Sequence, residues 1–454
     1  MCQEFELPTI GPVDPPAGST VFVNVDVFDG LTNGVARDAK VLVVGDRIER
    51  VFHGELEGDP DHLVIDGGGG TLMPGLIDSH VHFNHTIPGG GVTALEATTW
   101  DEIGATAAAG AYEHLMNGFT TARDAGGLGA GLKRTIDRGQ LAGPRIYPSG
   151  AYISQTSGHG DLRLASQTGP DLSNLERLGI IRLADGADQV RAAVREQLAR
   201  GASQVKLMVG GGVSSEKDPL HSTQYTADEI RAAVEAAEAW DTYVLVHVYH
   251  DAHVSRVLEL GVKSIEHGHF LTRETAELLK ESGAIHSINL AGLSPDLFKH
   301  PVYGAEGSPV RRKAEEFQAQ STNLIDVVNE VGHKVVFNTD LVFTTGTSFR
   351  AAIDFAKFVQ ADFFGNYEAL KAMTSTAGEL MAMTGQNNPY PHRLGVIEEG
   401  AYADILVIDG NPLDDITTIG ANPKWYDAEP RSDDISTIPF IMKGGEVMKN
   451  SLST

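Results

Sequence analysis

Cysteine is all but missing from these 454 residues, the one example being Cys2. No intramolecular disulfide can form and no thiolate cage is available, so any metal must be held by imidazole, carboxylate or a modified amine. Basic residues are short as well, 35 Lys and Arg against 61 Asp and Glu, for a net charge of −26. A chain of that charge repels phosphate backbones and anionic bilayers, and no basic cluster offsets it locally, so neither nucleic acid nor membrane is expected as a partner. The acidity reads as plain solubility. No apolar run reaches membrane-spanning length, and the opening Met-Cys-Gln-Glu-Phe-Glu carries acids where a secretory leader carries bases. Both absences predict a cytoplasmic protein.

What is present is enough for a substantial core, since 41% of the residues are hydrophobic. The length suits one large domain plus a small one. Short strand patterns punctuated by Gly and Asp run from Ser19 to Asp66 and return in Ala403 to Asp409 and Ile438 to Val447. Two strand-rich flanks around a differently patterned middle predict a small β-sandwich domain assembled from residues 1–70 and 393–454. Between them, over residues 71–392, apolar segments alternate with helical ones. Eight strands are expected: Leu76 to His82, Phe119 to Asp124, Arg145 to Gly150, Gln204 to Val209, Tyr243 to Val248, Ser264 to His267, Ala284 to Asn289 and Val335 to Asp340. Helices are expected over Ala187 to Arg200, Ala227 to Trp240, Val254 to Leu260 and Arg273 to Ser282. This alternation predicts an α/β fold, a (β/α)8 TIM-like barrel, with an open doubly wound sheet as the structural alternative. The Gly-, Ser- and Pro-rich stretch from Ala151 to Asp185 reads as a loop over the strand ends.

The chemistry-bearing residues collect at the C-terminal ends of the expected strands. Residues i and i+2 of a strand share a face, so His80 and His82 can turn both imidazoles toward one ion. His247, His267 and Asp340 end three further strands, on the face where barrel enzymes build their sites. Lys206 is the oddity, an ammonium inside the apolar Gln204-Val205-Lys206-Leu207-Met208-Val209. It can snorkel out or pair with an acid. Alternatively, desolvation leaves the amine neutral, carbon dioxide converts it to a carbamate, and two oxygens bridge a pair of cations.

Leu72-Met73-Pro74-Gly75-Leu76-Ile77-Asp78-Ser79-His80-Val81-His82 resembles the signature of the amidohydrolase superfamily, whose later ligands follow in the same order. The resemblance runs to the closing Gly395-Val396-Ile397-Glu398-Glu399-Gly400-Ala401-Tyr402-Ala403-Asp404. It implies a two-metal hydrolase: His80 and His82 on the more buried metal, a carboxylated Lys206 bridging, His247 and His267 on the second metal. Asp340 then ligates the first metal and handles the proton. Two divalent ions, expected to be zinc, and a carbon dioxide-derived carboxylation of Lys206 are the implied cofactors. Ser154-Gln155-Thr156-Ser157-Gly158-His159-Gly160-Asp161 and the stretch from Lys206 to Val213 are similar to the branch holding ochratoxinase, Xaa-Pro dipeptidases, imidazolonepropionase-like amidohydrolases and zinc carboxypeptidases of N-acyl amino acids. The expected substrate is a small amide of N-acyl amino acid or dipeptide type, ochratoxin-like amides included, and a homo-oligomer is expected from the relatives.

From the motif match His159 is expected to serve catalysis and contact substrate, with Tyr152 and Arg163 as further contacts. Tyr249 stands where several relatives of that branch carry a second His, which alters the contact with a substrate carboxylate. Arg123 is expected to pair with the adjacent Asp124. His250, His253 and His269 are expected on loop or helix surfaces, and Gly210-Gly211-Gly212 to allow close backbone approach near the metals. The competing enzyme is a cyclic amide or imidazolone hydrolase, or a one-metal deaminase, which usually lacks the bridging lysine. A catalytically dead binding protein on the same fold would have shed ligands, and here all six are present.

Overall fold

A computed structural model describes residues 18–55, 62–85, 91–167, 171–344, 346–431 and 434–452. Cys2 and the first seventeen positions of the expected small domain lie outside the described residues.

The two ends of the chain meet in one sheet of eight strands. Its order is Glu446–Asn450, Phe440–Lys443, Ile405–Ile408, Thr71–Pro74, Ser19–Val27, Ala36–Val44 and Arg47–Phe52, with Leu63–Asp66 added in parallel to Ser19–Val27. The stitch between the ends is Thr71–Pro74, paired antiparallel with Ile405–Ile408 so that Leu72 faces Val407 and Met73 faces Leu406. Phe22, Val41, Ile405 and Phe440 are among the residues that close the apolar interior of this sheet. Thr71–Pro74 therefore belongs to the small sheet although it falls inside the span 71–392. Immediately after it, Gly75 turns the chain. A Cβ there would lie 2.0 Å from Thr120 Oγ1, so only glycine lets the next strand start this close to its neighbour.

All eight strands expected in the middle form. Leu76–Val81, Phe119–Asp124 and Arg145–Pro148 make one parallel sheet. A second parallel sheet contains Val205–Met208, Val244–His250, Ser264–Phe270, Ile285–Ile288 and Val335–Phe337, extended at its other edge by Tyr152–Ser154 and Ile181–Leu183. The strand pairing does not draw a single closed ladder. At one seam Asp340 N–H donates to His80 C=O at 3.0 Å, and at the other Ser203 N–H donates to Pro148 C=O at 2.7 Å. The first seam is thin because Val335–Phe337 has only three residues and Asp340 leaves it in the left-handed region, with φ +44°. Val205–Met208 is buried throughout, as a parallel strand covered on both faces requires.

The helices Ala187–Ala199, Ala227–Glu238, Asp251–Glu259 and Arg273–Ser282 lie where periodicity places them, the third starting three residues earlier than expected. Thr226 and Glu229 cap Ala227–Glu238 reciprocally, and Gly283 closes Arg273–Ser282 at φ +68°. The segment from Ala151 to Asp185 is not simply a loop. Besides its two short strands it forms the helix Asn174–Arg177, and Tyr152, Ile180 and Ile181 are buried with Leu95, Leu175 and Met208. Its apolar residues sit at its two ends and pair across the polar stretch between them, Ile181 opposite Tyr152, which local composition hides.

Among the described residues no helix is long and apolar enough to cross a membrane.

Candidate active site at the strand ends

The spacing of His80 and His82 works as strand geometry requires: the two Nε2 atoms lie 3.1 Å apart. The opposite nitrogen of each ring is occupied. His80 Nδ1 lies 2.7 Å from Glu266 Oε2, and His82 Nδ1 lies 2.7 Å from Gly126 C=O. Both partners can only accept, so both ring protons sit on Nδ1 and the two bare Nε2 lone pairs face each other. Two acceptors at that distance repel unless a cation lies between them, and the donor set fits a divalent ion. Asp340 Oδ1 completes the group, 3.5 Å from His80 Nε2 and 3.6 Å from His82 Nε2. His267 Nδ1 is 3.8 Å from Asp340 Oδ2, and ligand atoms of His80, His267 and Asp340 all lie within 4.8 Å of one another. The His247 ring centroid is 4.5 Å from that of His267. Its Nε2 points to Gly211 C=O at 3.2 Å, which leaves Nδ1 free.

Burial sets the protonation states. His80, His82, His247 and His267 are all held well below the usual imidazole range, first by burial and then by neighbouring cationic groups. Neutral rings are the form that binds metal. Burial draws the Lys206 amine down to about 8, with Glu266 and Asp340 pulling part of the way back. Burial pushes the Asp340 carboxyl up to about 7 against the opposing charge of Lys206. Two of these residues also carry backbone strain, His267 at φ +73° and Asp340 at φ +44°. Left-handed backbone at non-glycine positions concentrates where function holds it in place.

His80, His82, Lys206, His247, His267 and Asp340 all border one pocket, which encloses roughly 1130 Å³ with its open mouth included. His159, Tyr152 and Tyr249 border it too. The His159 ring stacks on His247, centroids 4.1 Å apart, and Tyr249 meets His247 edge-on at 4.9 Å. Arg163 does not border the pocket; its guanidinium is paired with Asp161 at 2.7 Å.

Two readings of the sequence change. Arg123 does not pair with Asp124. It is fully buried and forks onto Glu266, 2.7 and 2.8 Å from the two carboxylate oxygens, while Asp124 accepts the Gly126 N–H. His269 is not on a surface: it is buried against Phe317, with Nε2 donating to Asn289 C=O at 3.1 Å.

The sequence reading passed over several pocket residues. His85 borders it three positions beyond His82, buried and drawn down to about 4 by its desolvation. His300, Tyr303, Phe317 and Trp425 form an apolar and aromatic wall from distant segments. His85 extends the His80, His82 run and was detectable; Trp425 arrives from beyond Ile405–Ile408 and carried no local signal.

The match to a family model is equally broad. Residues 71–446 fit the model of the amidohydrolase family. This chain belongs to that family. It is a hydrolase acting on amide bonds. The ochratoxinase of Aspergillus niger is 30% identical over 401 residues, covering 84% of the amidohydrolase described here and 76% of the relative. A prolidase solved with N-methylphosphonate-L-proline superposes with a TM-score of 0.84 at 34% identity, over 95% of this chain and 100% of that one. A Xaa-Pro dipeptidase with bound methionine gives 0.79 at 25% identity, over 95% and 100%.

Proposed function

We propose that this amidohydrolase cleaves the amide bond of an N-acyl amino acid or dipeptide-like substrate at a two-metal centre. The observation that carries the reading is the meeting of six metal-binding groups with an apolar, aromatic wall in one pocket at the strand ends. His80 and His82 would hold one divalent ion, His247 and His267 a second, with Lys206 between them as a carbamate and Asp340 on the first. A neutral Lys206 amine takes up carbon dioxide at its nitrogen and releases one proton, which would turn a buried neutral amine into a buried anion able to face the cations. Zinc suits imidazole and carboxylate donors. Bound there, the ions supply Lewis acidity that acidifies a water and polarises a carbonyl.

The chain's own residues do the rest. Asp340 takes the proton of the attacking water and returns it to the leaving nitrogen as the C–N bond breaks. His159 and Tyr249 contact the substrate beside the scissile bond. Leu297, Phe317 and Trp425 bury its apolar part and exclude water. The ochratoxinase and prolidase relatives support an amide with an amino acid on one side. We read the two parallel sheets as parts of one (β/α)8 barrel over residues 71–392, flanked by a β domain from 1–70 and 393–454, in a cytoplasmic protein.

The test is a screen of the metal-loaded protein against N-acyl amino acids and dipeptides, N-acyl-phenylalanine and Xaa-Pro compounds included, with ring amides alongside. Turnover of the open amides is expected. Turnover of ring amides alone, with one metal per chain, would replace this reading by that of a cyclic amide hydrolase.

A further inference from the structure

We propose that Asp218, acting through Ser215 and His159, is a positioning residue for hydrolysis at this site; the inference rests on the function proposed above. His159 is fixed on three sides. Its backbone N–H donates to Gln224 Oε1 at 2.8 Å, its ring stacks on His247, and the ring edge passes so close to Gly212 that a Cβ there would lie 2.0 Å from His159 Cε1. The remaining side is polar. His159 Nδ1 lies 2.8 Å from Ser215 Oγ and 3.4 Å from Asp218 Oδ2.

The direction of the hydrogens follows from the charges. Asp218 is almost completely buried, yet it accepts the Gly212 N–H at 2.8 Å and the Ser215 hydroxyl, and has the Lys313 ammonium 3.8 Å away. Burial alone would raise its pKa, but His159, Lys313 and Ser215 outweigh it and hold the carboxyl down to about 2. The carboxylate therefore only accepts. Lys313 adds hydrogen bonds to Ser215 Oγ at 3.2 Å and to Asp218 C=O at 3.1 Å. With its one proton given away, Ser215 Oγ can only accept from His159, so the His159 proton sits on Nδ1 and Nε2 is the nitrogen left for the pocket. The same logic governs hydrolytic triads, where a buried carboxylate selects the tautomer of a working imidazole. Here a serine is inserted between the two, and a buried lysine stabilises the carboxylate.

A purely structural Asp218–Lys313 pair would tie down the helix Pro309–Gln320, which carries Phe317, without governing His159. A double-mutant cycle separates the two roles. Asp218→Asn should lower kcat on the order of 100-fold with less than a threefold change in KM. The same change in a His159→Ala background should cost less than threefold. Ser215→Ala keeps the Asp218–Lys313 pair and removes only the link, so it covers the case in which Asp218→Asn does not fold; a loss on the order of 10-fold is expected. Nitrogen-15 spectra of histidine-labelled protein, with His159 assigned by its loss in His159→Ala, give a readout free of turnover. They should show a protonated Nδ1 and a bare Nε2 in the wild type and a mixture in Ser215→Ala. Equal costs of Asp218→Asn with and without His159, or an Nε2-protonated ring in the wild type, would overturn the inference. Should the wild type cleave none of the amides screened, the proposed function fails while the spectra still decide the role of Asp218.

Discussion

Replacing Arg123 by Met tests how the site is held from behind. The guanidinium is fully buried and spends its donors on five acceptors: both oxygens of Glu266 at 2.7 and 2.8 Å, Tyr243 Oη at 3.1 Å, Ser264 Oγ at 2.9 Å and Ser79 C=O. Burial raises the Glu266 pKa, but Arg123 and Lys206 more than reverse it, so Glu266 is a carboxylate and can fix the His80 proton on Nδ1. Arg123→Met leaves that carboxylate in the core with its charge uncompensated by the guanidinium. Breaking a buried pair from one side costs about 3–5 kcal/mol. Losing the group that orients a ligand's acceptor costs about 10–100-fold in metal affinity. Urea unfolding of the metal-free protein reads the first and competition with a chelator the second. The companion Arg123→Met/Glu266→Met removes both charges. It should recover most of the stability while affinity stays low, because His80 loses its acceptor altogether. A single variant within about 1 kcal/mol of wild type, or a double variant less stable than the single, would refute the reasoning.

Asp124 supplies a pH test. Burial pushes its carboxyl up to about 8, whereas it titrates near 3.8 when unfolded. The folded state thus binds the extra proton, so its contribution is complete below about pH 4 and is lost as pH rises toward 8, by up to about 1.4 kcal/mol per unit. Asp124→Asn should remove that slope, gaining roughly 3 kcal/mol on wild type between pH 5 and 7 in urea titrations; parallel profiles would exclude it. Asp340→Asn should keep the wild-type melting temperature and lower turnover by about 10²–10⁴-fold, and wild-type rates would remove Asp340 from proton transfer. Lys206→Met should lower the metal content measured by elemental analysis below the two per chain proposed for the wild type and abolish any dependence of metal loading on bicarbonate. Retention of two metals would show that no carbamate is needed.

Much of the candidate site could be read from the chain because its residues obey local rules. His80 and His82 are two apart at the end of Leu76–Val81, Lys206 interrupts the otherwise apolar Val205–Met208, and His247 and His267 lie on the neighbouring strands Val244–His250 and Ser264–Phe270. What could not be read depends on long-range pairing. Glu266 lies 143 positions from Arg123, Lys313 reaches the loop residue Ser215 from the helix Pro309–Gln320, and Trp425 enters the pocket from the C-terminal segment. The seam at Asp340 was hidden for a similar reason: the pattern from Val335 to Asp340 reads as strand, but the pairing stops at Phe337 and the backbone has turned left-handed by Asp340.

The misassigned Arg123 is different, because the sequence already contained the argument against it. Successive residues of a strand point to opposite faces. The rule that turns His80 and His82 toward one ion also forbids Arg123 and Asp124, neighbours on Phe119–Asp124, from meeting. Arg123 must project to one side, where it finds Glu266, and Asp124 to the other, where it accepts the N–H groups of Gly126 and Phe83. Two separate anchors of the site follow from that divergence. Arg123 secures His80 through Glu266, and Asp124 secures the turn whose Gly126 carbonyl holds His82. Arg123→Met should therefore disturb His80 without moving His82, and histidine nitrogen-15 shifts in the metal-free protein separate the two; a joint shift would mean that the anchors act as one unit.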